Sequence, residues 1–468
     1  MNISIWWIRR DLRLQDNPVF SAAHRASDQV LPLFILDPEI LGSRFVGRRR
    51  SSFLFEGLIN LDQELRNLGS ALTLREGTPL QVLSTLKEEL DYTEIFAQAE
   101  FTPLARRRDG VIKDALPLRL VGSPAIQPPD SVLKKDGNPY TVFTPYSRQW
   151  LIRDAPEIRG TVPERISSPS GVSSVPIPKP VLATSEIFPA GSAAGLRRLA
   201  NFTEGLQAPI FAYGQRRDRL DLAGTSSLSP YLRFGMISPN VCLAAAVEAQ
   251  ARAKNTRSRE GGHSWINELA WRDFYISILF HFPHVIHSDF RESLAAFPWR
   301  SDEDGFSRWK QGLTGFPVVD AAMRQLNQTG WIHNRARMIT ASFLTKDLLI
   351  HWTWGAQWFM EQLIDGDPAS NSGGWQWAAG TGADSAPYFR IFNPVTQSQK
   401  FDPAGSFIRT WVPELGGVPD KFIHEPWKLP SESQSKYGFQ LGKDYPNPII
   451  DHGFARERAL DLYSRFKR

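Results

Sequence analysis

The stretch Trp265-Ile266-Asn267-Glu268-Leu269-Ala270-Trp271-Arg272-Asp273-Phe274-Tyr275 sets Glu268, Trp271, Arg272 and Tyr275 three and four positions apart, on adjoining parts of one helix face. An indole beside a carboxyl and a guanidinium offers what a stacked, hydrogen-bonded base requires, although an amphipathic helix with a buried Trp explains the same letters equally well. Asn334, Arg337 and Met338 fall at similar steps within Trp331–Met338 and could line a pocket. Gly224-Thr225-Ser226-Ser227-Leu228-Ser229-Pro230 brings several hydroxyls and N–H groups ahead of the helical-looking Tyr231-Leu232-Arg233-Phe234. Such a start suits a phosphate, and a plain Ser/Thr helix cap is the simpler reading. Asp365-Gly366-Asp367 with Asn371-Ser372-Gly373-Gly374-Trp375-Gln376-Trp377 has the close carboxylates and glycines of a calcium loop. It lacks an acidic closing residue, and Trp375 and Trp377 are poor neighbours for a hydrated ion, so no metal site is expected. His333 and His351 have no cysteine or carboxylate at ligand spacing and read as hydrogen-bonded structural histidines.

Something must hold these segments in place. Ile3–Ile8, 29–36, 71–75 and 94–97 are short apolar or β-branched runs suited to buried parallel strands. Leu54, Leu58, Leu61, Leu65 and Leu68 trace one helix face that stops at Gly69. A second helix opens at Thr78-Pro79, a capping hydroxyl followed by proline, and continues through Val82, Leu83, Leu86 and Leu90. The alternation predicts a doubly wound parallel sheet. No glycine follows the first strand in Arg9-Arg10-Asp11-Leu12-Arg13-Leu14-Gln15-Asp16-Asn17-Pro18, which argues against a nicotinamide dehydrogenase. From about Gly160 to Ala194 the Pro-, Ser- and Gly-rich sequence reads as a long surface connector, and helices with capping signals such as Ser238-Pro239 and Asp347 fill the remainder. The expected organisation is α/β plus all-α: an N-terminal sheet domain over 1–130, a connector over 131–198 and a C-terminal helical domain over 199–468.

At 468 residues the chain is long enough for more than one domain and a large core. Its 42% hydrophobic and 22% charged residues exclude wholesale disorder. One cysteine, Cys242, rules out internal disulfides and cysteine-clustered metal sites and points to a reducing cytoplasm. No apolar run would span a bilayer, so no membrane is expected. The net charge of +5 permits nucleic-acid binding without requiring it. Of fifteen tryptophans, twelve lie between Trp265 and Trp427, more than core packing alone calls for.

Taken in order, Arg9–Leu14, Gly224–Ser229, Trp265–Tyr275, Gly330–Met338 and Asp365–Trp377, with Thr314-Gly315-Phe316-Pro317-Val318-Val319-Asp320-Ala321-Ala322-Met323-Arg324-Gln325-Leu326, resemble the photolyase/cryptochrome flavoproteins along nearly the whole chain. The class I cyclobutane pyrimidine dimer DNA photolyases are the most similar branch. The resemblance implies an N-terminal antenna domain and a helical domain holding a U-shaped FAD. By matching position, Tyr213 and Thr225, Ser226, Ser227, Leu228 and Ser229 would hold the FAD phosphates, with Trp265 and Arg272 in the same cofactor site. Asp365 and Asp367 would bond the ribose and flavin side, Arg337 would lie near the isoalloxazine, and Asn371 would face flavin N5. Trp375, Trp352 and Trp299 match the family's electron-transfer triad, which gives the tryptophan excess a reading.

The implied reaction is electron transfer from excited FADH⁻ to a cyclobutane dimer flipped out of damaged DNA. Trp271 and Trp377 would stack on the dimer, Glu268 would hydrogen-bond it, and Asn334 and Met338 would line the pocket. Arg335, with Arg217 and Arg390, would contact phosphates. A cryptochrome-type light receptor is the alternative from a different class. Asn371, an end near Arg468 without a long tail, and the Glu268–Trp271 pair argue against it. A (6-4) photoproduct enzyme is disfavoured because that branch carries two histidines where this chain has Asn334 and Met338. Around Glu100–Asp109 the pattern favours a deazaflavin-type antenna chromophore over a folate-type one, with Thr102 standing where an acidic residue is expected. The expectation is completed by a monomer without obligate protein partner, cytoplasmic and nucleoid-associated if bacterial.

Overall fold

In a computed structural model, five strands, β1 (Ile3–Ile8), β2 (Gln29–Leu36), β3 (Thr73–Glu76), β4 (Glu94–Ala97) and β5 (Leu118–Leu120), form one parallel sheet in the order β3-β2-β1-β4-β5. The structure describes all residues except 44, 155–161, 183–186, 295, 386, 388–389 and 467–468. It divides into two units: Met1–Gly214, Thr225–Pro283 and Ile364–Ala369 form the first, and Gln215–Gly224, His284–Leu363 and Ser370–Arg468 the second.

The sheet belongs to the first unit. β1 lies centrally, with Ile5 opposite both Leu31 and Ile95, and its last five residues are buried because parallel strands carry helices on both faces. Ile5, Trp7, Leu33 and Ile95 pack with Val82, Leu83 and Leu86 of the helix Pro79–Leu90. The leucine face is also present, as the helix Arg48–Asn67, with Leu58, Leu61 and Leu65 buried and Gly69 at φ +81° just beyond it. The Thr78 hydroxyl makes no capping bond, so proline at the first helical position marks that start instead. β5 is only Leu-Arg-Leu, too short for a periodic signal, and it follows the helix Pro103–Ala115.

The described residues of the Pro-, Ser- and Gly-rich stretch are mostly exposed or half-buried, with Ile166 and Phe188 turned inward. The part of the connector before it contains the helix Phe143–Leu151, with Val132, Tyr146 and Trp150 buried. The connector's extended parts lean on the sheet through isolated bonds: Val30 N donates to Ser167 O, and Val175 N donates to Leu74 O, covering the edge strand β3. Residues 155–161 and 183–186 of the expected connector lie outside the described ones. No strand follows β5 among the described residues.

The long helix Thr256–His281 is anchored from the connector side. Asp273, buried within it, accepts from Trp150 Nε1 at 2.9 Å and from Gln127 N at 3.0 Å. Ser238 caps the helix Pro239–Arg252 by accepting from Asn240 N, as its position before proline suggests.

In the second unit, Val318, Val319, Ala322, Met323 and Leu326 of the helix Pro317–Thr329 join Trp309, Trp352 and Trp375 in one core. Asp320 is held inside it by donors from Thr314, Gly315 and the Tyr445 hydroxyl. Asp347 caps no helix. It ends a π-helical turn, Phe343–Asp347, and its buried carboxylate pairs with His452. The same turn buries Lys346, whose ammonium donates to Ala379 O at 2.8 Å and lies 3.6 Å from the Tyr463 ring centroid.

Burial lowers the Lys346 pKa to about 7, whereas an unfolded lysine titrates at about 10.4. Between these values the unfolded chain binds more protons, so stability should rise as pH increases from about 7 to about 10. Lys346→Met keeps an apolar stem and should flatten that rise. Paired urea melts at about pH 7 and about pH 9.5 measure it, and an equal pH slope in both proteins rules out Lys346 as its source.

Candidate functional site

The first unit contains the hydroxyl-rich segment, the platform helix and the two aspartates. Ser229–Phe234 is a six-residue helix whose N-cap is Leu228 with no side-chain capping bond, so the simple cap reading fails for Thr225 to Ser227. Ser227 instead adopts a left-handed conformation, φ +50°, which costs a non-glycine residue energy and is often found where a loop is shaped around a ligand. Thr225 Oγ1 and Ser227 Oγ are 3.3 Å apart, and the indole N–H of buried Trp265 donates to Ser226 Oγ. Trp265 therefore positions the loop. Tyr213 is buried edge-on to Phe202, which also packs against Trp265.

On the Thr256–His281 helix, Glu268, Trp271, Arg272 and Tyr275 are all half-buried, as the spacing predicts. Trp271 stacks face to face on Phe143, with centroids 3.7 Å apart and planes inclined by 8°. Phe143 was not legible as a site residue, since its segment has no periodicity and it meets Trp271 only through the tertiary fold. Arg272 does not extend the aromatic platform. Its guanidinium donates to Pro124 O at 2.6 Å and lies 3.6 Å from Asp273, so it fastens the helix to the chain after β5.

Asp367 pairs with Arg10 at 2.8 Å and caps the following helix by accepting from Ala369 N. Arg233 donates to Gly366 O at 2.7 Å, and Arg10 donates to Arg233 O at 3.1 Å. Arg50 lies within electrostatic reach of both Asp365 and Asp367. Burial pulls Arg233 down to about 9 and Arg50 to about 10, and the carboxylates oppose that shift. Sequence reasoning assigned no role to Arg10, Arg50 or Arg233, although Arg10 stands in a motif that it singled out.

The second unit holds the remaining candidates. Asn334 is exposed at the start of the helix Asn334–Ser342, and Arg337 and Met338 are half-buried on it. Asn334 Nδ2 approaches Met338 Sδ at 3.9 Å. Arg335 is engaged internally: it pairs with Asp218 at 2.8 Å and lies 4.4 Å over Phe401, which leaves less of its charge for a phosphate. Arg217 belongs to the same unit. Arg390 is exposed, with its guanidinium 5.9 Å from the Trp377 ring, so those two candidates come together. His333 and His351 cap helices by accepting from Arg335 N and Thr353 N, as structural histidines, and burial lowers His333 to about 4.

Asn371 Nδ2 donates to Ala356 O at 2.9 Å, which fixes the orientation of its amide. Trp375 is buried against Phe359 at 4.9 Å and Trp309 at 5.9 Å. Its indole occupies the space beside Gly355, where a Cβ would come within 2.0 Å of Cη2. Trp352 is buried, and half-buried Trp299 packs on Phe297. His351 is stacked on Trp352 and edge-on to Trp299.

The sequence matches the family described as DNA photolyase over residues 4–164 and the FAD binding domain of DNA photolyase over residues 265–465. It is 39% identical over 480 residues to a deoxyribodipyrimidine photo-lyase of Alkalihalophilus pseudofirmus, covering 98% of this chain and 97% of that protein. Its fold is similar to a bacterial class III photolyase from Agrobacterium tumefaciens, with TM-score 0.93, 36% identity and coverage of 100% and 98% of the two chains. It is also similar to a Synechocystis cryptochrome, with TM-score 0.89, 29% identity and coverage of 98% and 99%.

The Arg10 and Asp367 side chains are only 12% and 15% exposed, so their attraction is weakly screened. Asp367→Ala leaves a buried guanidinium without its carboxylate and should destabilise the protein by about 3–5 kcal/mol. Urea unfolding measures this, and a loss below about 0.5 kcal/mol would mean that solvent already screens the pair.

Proposed function

The chain belongs to the DNA photolyase family, and we propose that within it this protein is a light-driven enzyme that splits cyclobutane pyrimidine dimers in DNA. The observation that carries the reading is the half-buried pair Glu268 and Trp271 on one helix face, with the indole already stacked on Phe143. An indole held flat by one aromatic neighbour is a preorganised surface for a base. A carboxyl group one turn earlier can hydrogen-bond the base edge.

Enzymes that act on a base within a duplex take it out of the stack, photolyases among them, and a damaged base needs only about a few kcal/mol for this. In this reading Trp271 and Trp377 stack on the dimer, Glu268 bonds it, and Asn334 and Met338 line its pocket. Arg390 and Arg217 supply phosphate contacts, with Arg335 contributing less because Asp218 holds it. In this reading the binding partner is damaged DNA, and the protein acts as a monomer in the cytoplasm. Among the described residues no helix is long and apolar enough to cross a membrane.

The donor set of the first unit fits an FAD. The left-handed turn with Thr225, Ser226, Ser227, Leu228 and Ser229, together with Tyr213, offers N–H and hydroxyl groups to its phosphates, and Trp265 orients Ser226. Asp365 and Asp367 accept from ribose hydroxyls. In the second unit, the Asn371 amide nitrogen is committed to Ala356, so its oxygen is the end offered to a protonated flavin N5, with Arg337 as the neighbouring cation. Bound in its reduced form, FADH⁻, the flavin would supply the one-electron photochemistry that ring opening requires. Trp375, Trp352 and Trp299 relay electrons inward when the cofactor is oxidised. Residues 1–130 serve as the antenna domain, 131–198 connect, and 199–468 carry the chemistry.

The class I assignment rests on the motifs that carry the resemblance in order along the chain, the Thr314–Leu326 stretch among them. The TM-score of 0.93 to a class III photolyase favours a second reading. The chromophores released on denaturing the purified protein test the antenna reading, with a deazaflavin supporting it over a folate.

Reduced protein should prefer dimer-containing DNA and restore it in light. Trp271→Ala removes stacking of about 1–3 kcal/mol per base and should lower affinity for a dimer about 10–100-fold. Binding to undamaged duplex should hardly change, because phosphate contacts remain. Gel-shift titration with light-dependent restoration of dimer-containing oligonucleotides tests both. Wild-type protein that shows neither dimer preference nor repair overturns the reading in favour of a cryptochrome-type receptor.

A further inference from the structure

Asp289 is a buried carboxylate outside the proposed pocket. Trp352 Nε1 donates to Asp289 Oδ1 at 2.6 Å, with the indole 1% and the aspartate 9% exposed. A carboxylate at such a distance makes a strong, charge-assisted bond in a poorly screened setting. Trp299 differs: its indole nitrogen is buried and has no hydrogen-bond partner among the described residues. Between the two indoles, the His351 ring lies 5.7 Å from Trp352 at 30° and 5.2 Å from Trp299 at 74°, so aromatic contact runs from one to the other. Burial lowers the His351 pKa, and the nearby Asp289 charge opposes that shift.

We propose that Asp289 is a positioning residue for the tryptophan relay, stabilising the positive charge that forms on Trp352 and so driving the hop from Trp352 to an oxidised Trp375. This rests on the relay described under the proposed function. With an oxidised flavin bound, light would draw one electron from Trp375, leaving the flavin reduced by one electron and Trp375 a radical cation. Trp352 passes one electron to the Trp375 radical cation, which is restored, and Trp352 becomes the radical cation. As its charge develops, the indole proton shifts along the hydrogen bond toward the Asp289 carboxylate. It returns when Trp299 gives one electron to Trp352; an external thiol then gives one electron to the Trp299 radical cation, becoming a thiyl radical as its proton passes to solvent. One electron crosses the pair, and no proton leaves it. A carboxylate favours the oxidised indole over the neutral one because opposite charges attract more strongly where water is excluded. Trp299 has no such acceptor, so its radical cation keeps its proton until the thiol reacts.

The test uses the flavin-loaded, oxidised protein. In the dark, the Trp352 indole proton should resonate well downfield in a ¹⁵N–¹H spectrum, identified by its disappearance in Trp352→Phe. Asp289→Asn keeps the shape and removes the charge, so the resonance should move upfield. Under blue light with a thiol, photoreduction should fall about tenfold in Asp289→Asn, the size expected when a hydrogen bond loses its charge, and should nearly vanish in Trp352→Phe. Wild-type photoreduction in Asp289→Asn, with Trp352→Phe blocked, overturns the role of Asp289 and leaves the relay standing. Undiminished photoreduction in Trp352→Phe overturns the relay itself and the proposal with it. Repair of dimers by chemically reduced wild-type protein reports separately on the proposed enzyme activity. Should Asp289→Asn not fold, an ordinary indole chemical shift for Trp352 in the wild type suffices to overturn the proposal.

Discussion

The ion pair between Arg10 and Asp367 joins positions 357 residues apart within one unit. A guanidinium and a carboxylate are costly to bury alone, so each constrains the other, and bonds around them tighten the constraint. Arg10 bonds the Arg233 carbonyl while Arg233 bonds the Gly366 carbonyl, closing a ring of contacts from the end of β1 through the Ser229–Phe234 helix to residues 364–369. The approach is close enough to dictate Gly235: at φ +63°, a Cβ there would come within 1.8 Å of the Arg10 carbonyl oxygen. Leu12 N donating to Phe234 O, and Arg13 donating to Gly235 O, hold the same contact from the other side. The segment after β1 therefore fixes where the hydroxyl-rich turn and the two aspartates lie within their unit.

In the second unit the corresponding constraint is aromatic packing. Indoles are rigid and large, and burying one also costs the hydration of its N–H unless a hydrogen-bond acceptor replaces the water. Trp309 meets this requirement at Thr340 O and Trp352 at Asp289, whereas Trp299 leaves its N–H without a partner among the described residues. Gly355 lets Trp375 press onto the helix Trp352–Gln362, so a missing side chain on one helix sets the place of an indole on the next. Where a polar group does meet a buried ring, as Asp289 meets Trp352, it affects the chemistry of the ring it touches.

The sequence by itself determined what depends on near neighbours. Ile3–Ile8 and Gln29–Leu36 are apolar runs whose bounds match the strands, because buried parallel strands need no partner to declare their composition. The leucine face of Arg48–Asn67 and the shared face of Glu268 and Trp271 follow from helical periodicity alone. β5, with three residues, carries no period and escaped that reading, as did the single backbone bonds by which the connector's extended segments meet the sheet. Only the tertiary structure decided the partners of charged and aromatic side chains. Arg272 turned to Pro124, Arg335 to Asp218 and Asp347 to His452, while Phe143 met Trp271 and Asp289 met Trp352 across long stretches of chain. The energy of such a contact depends on distance and solvent exclusion, and neither is encoded in the local spacing of residues.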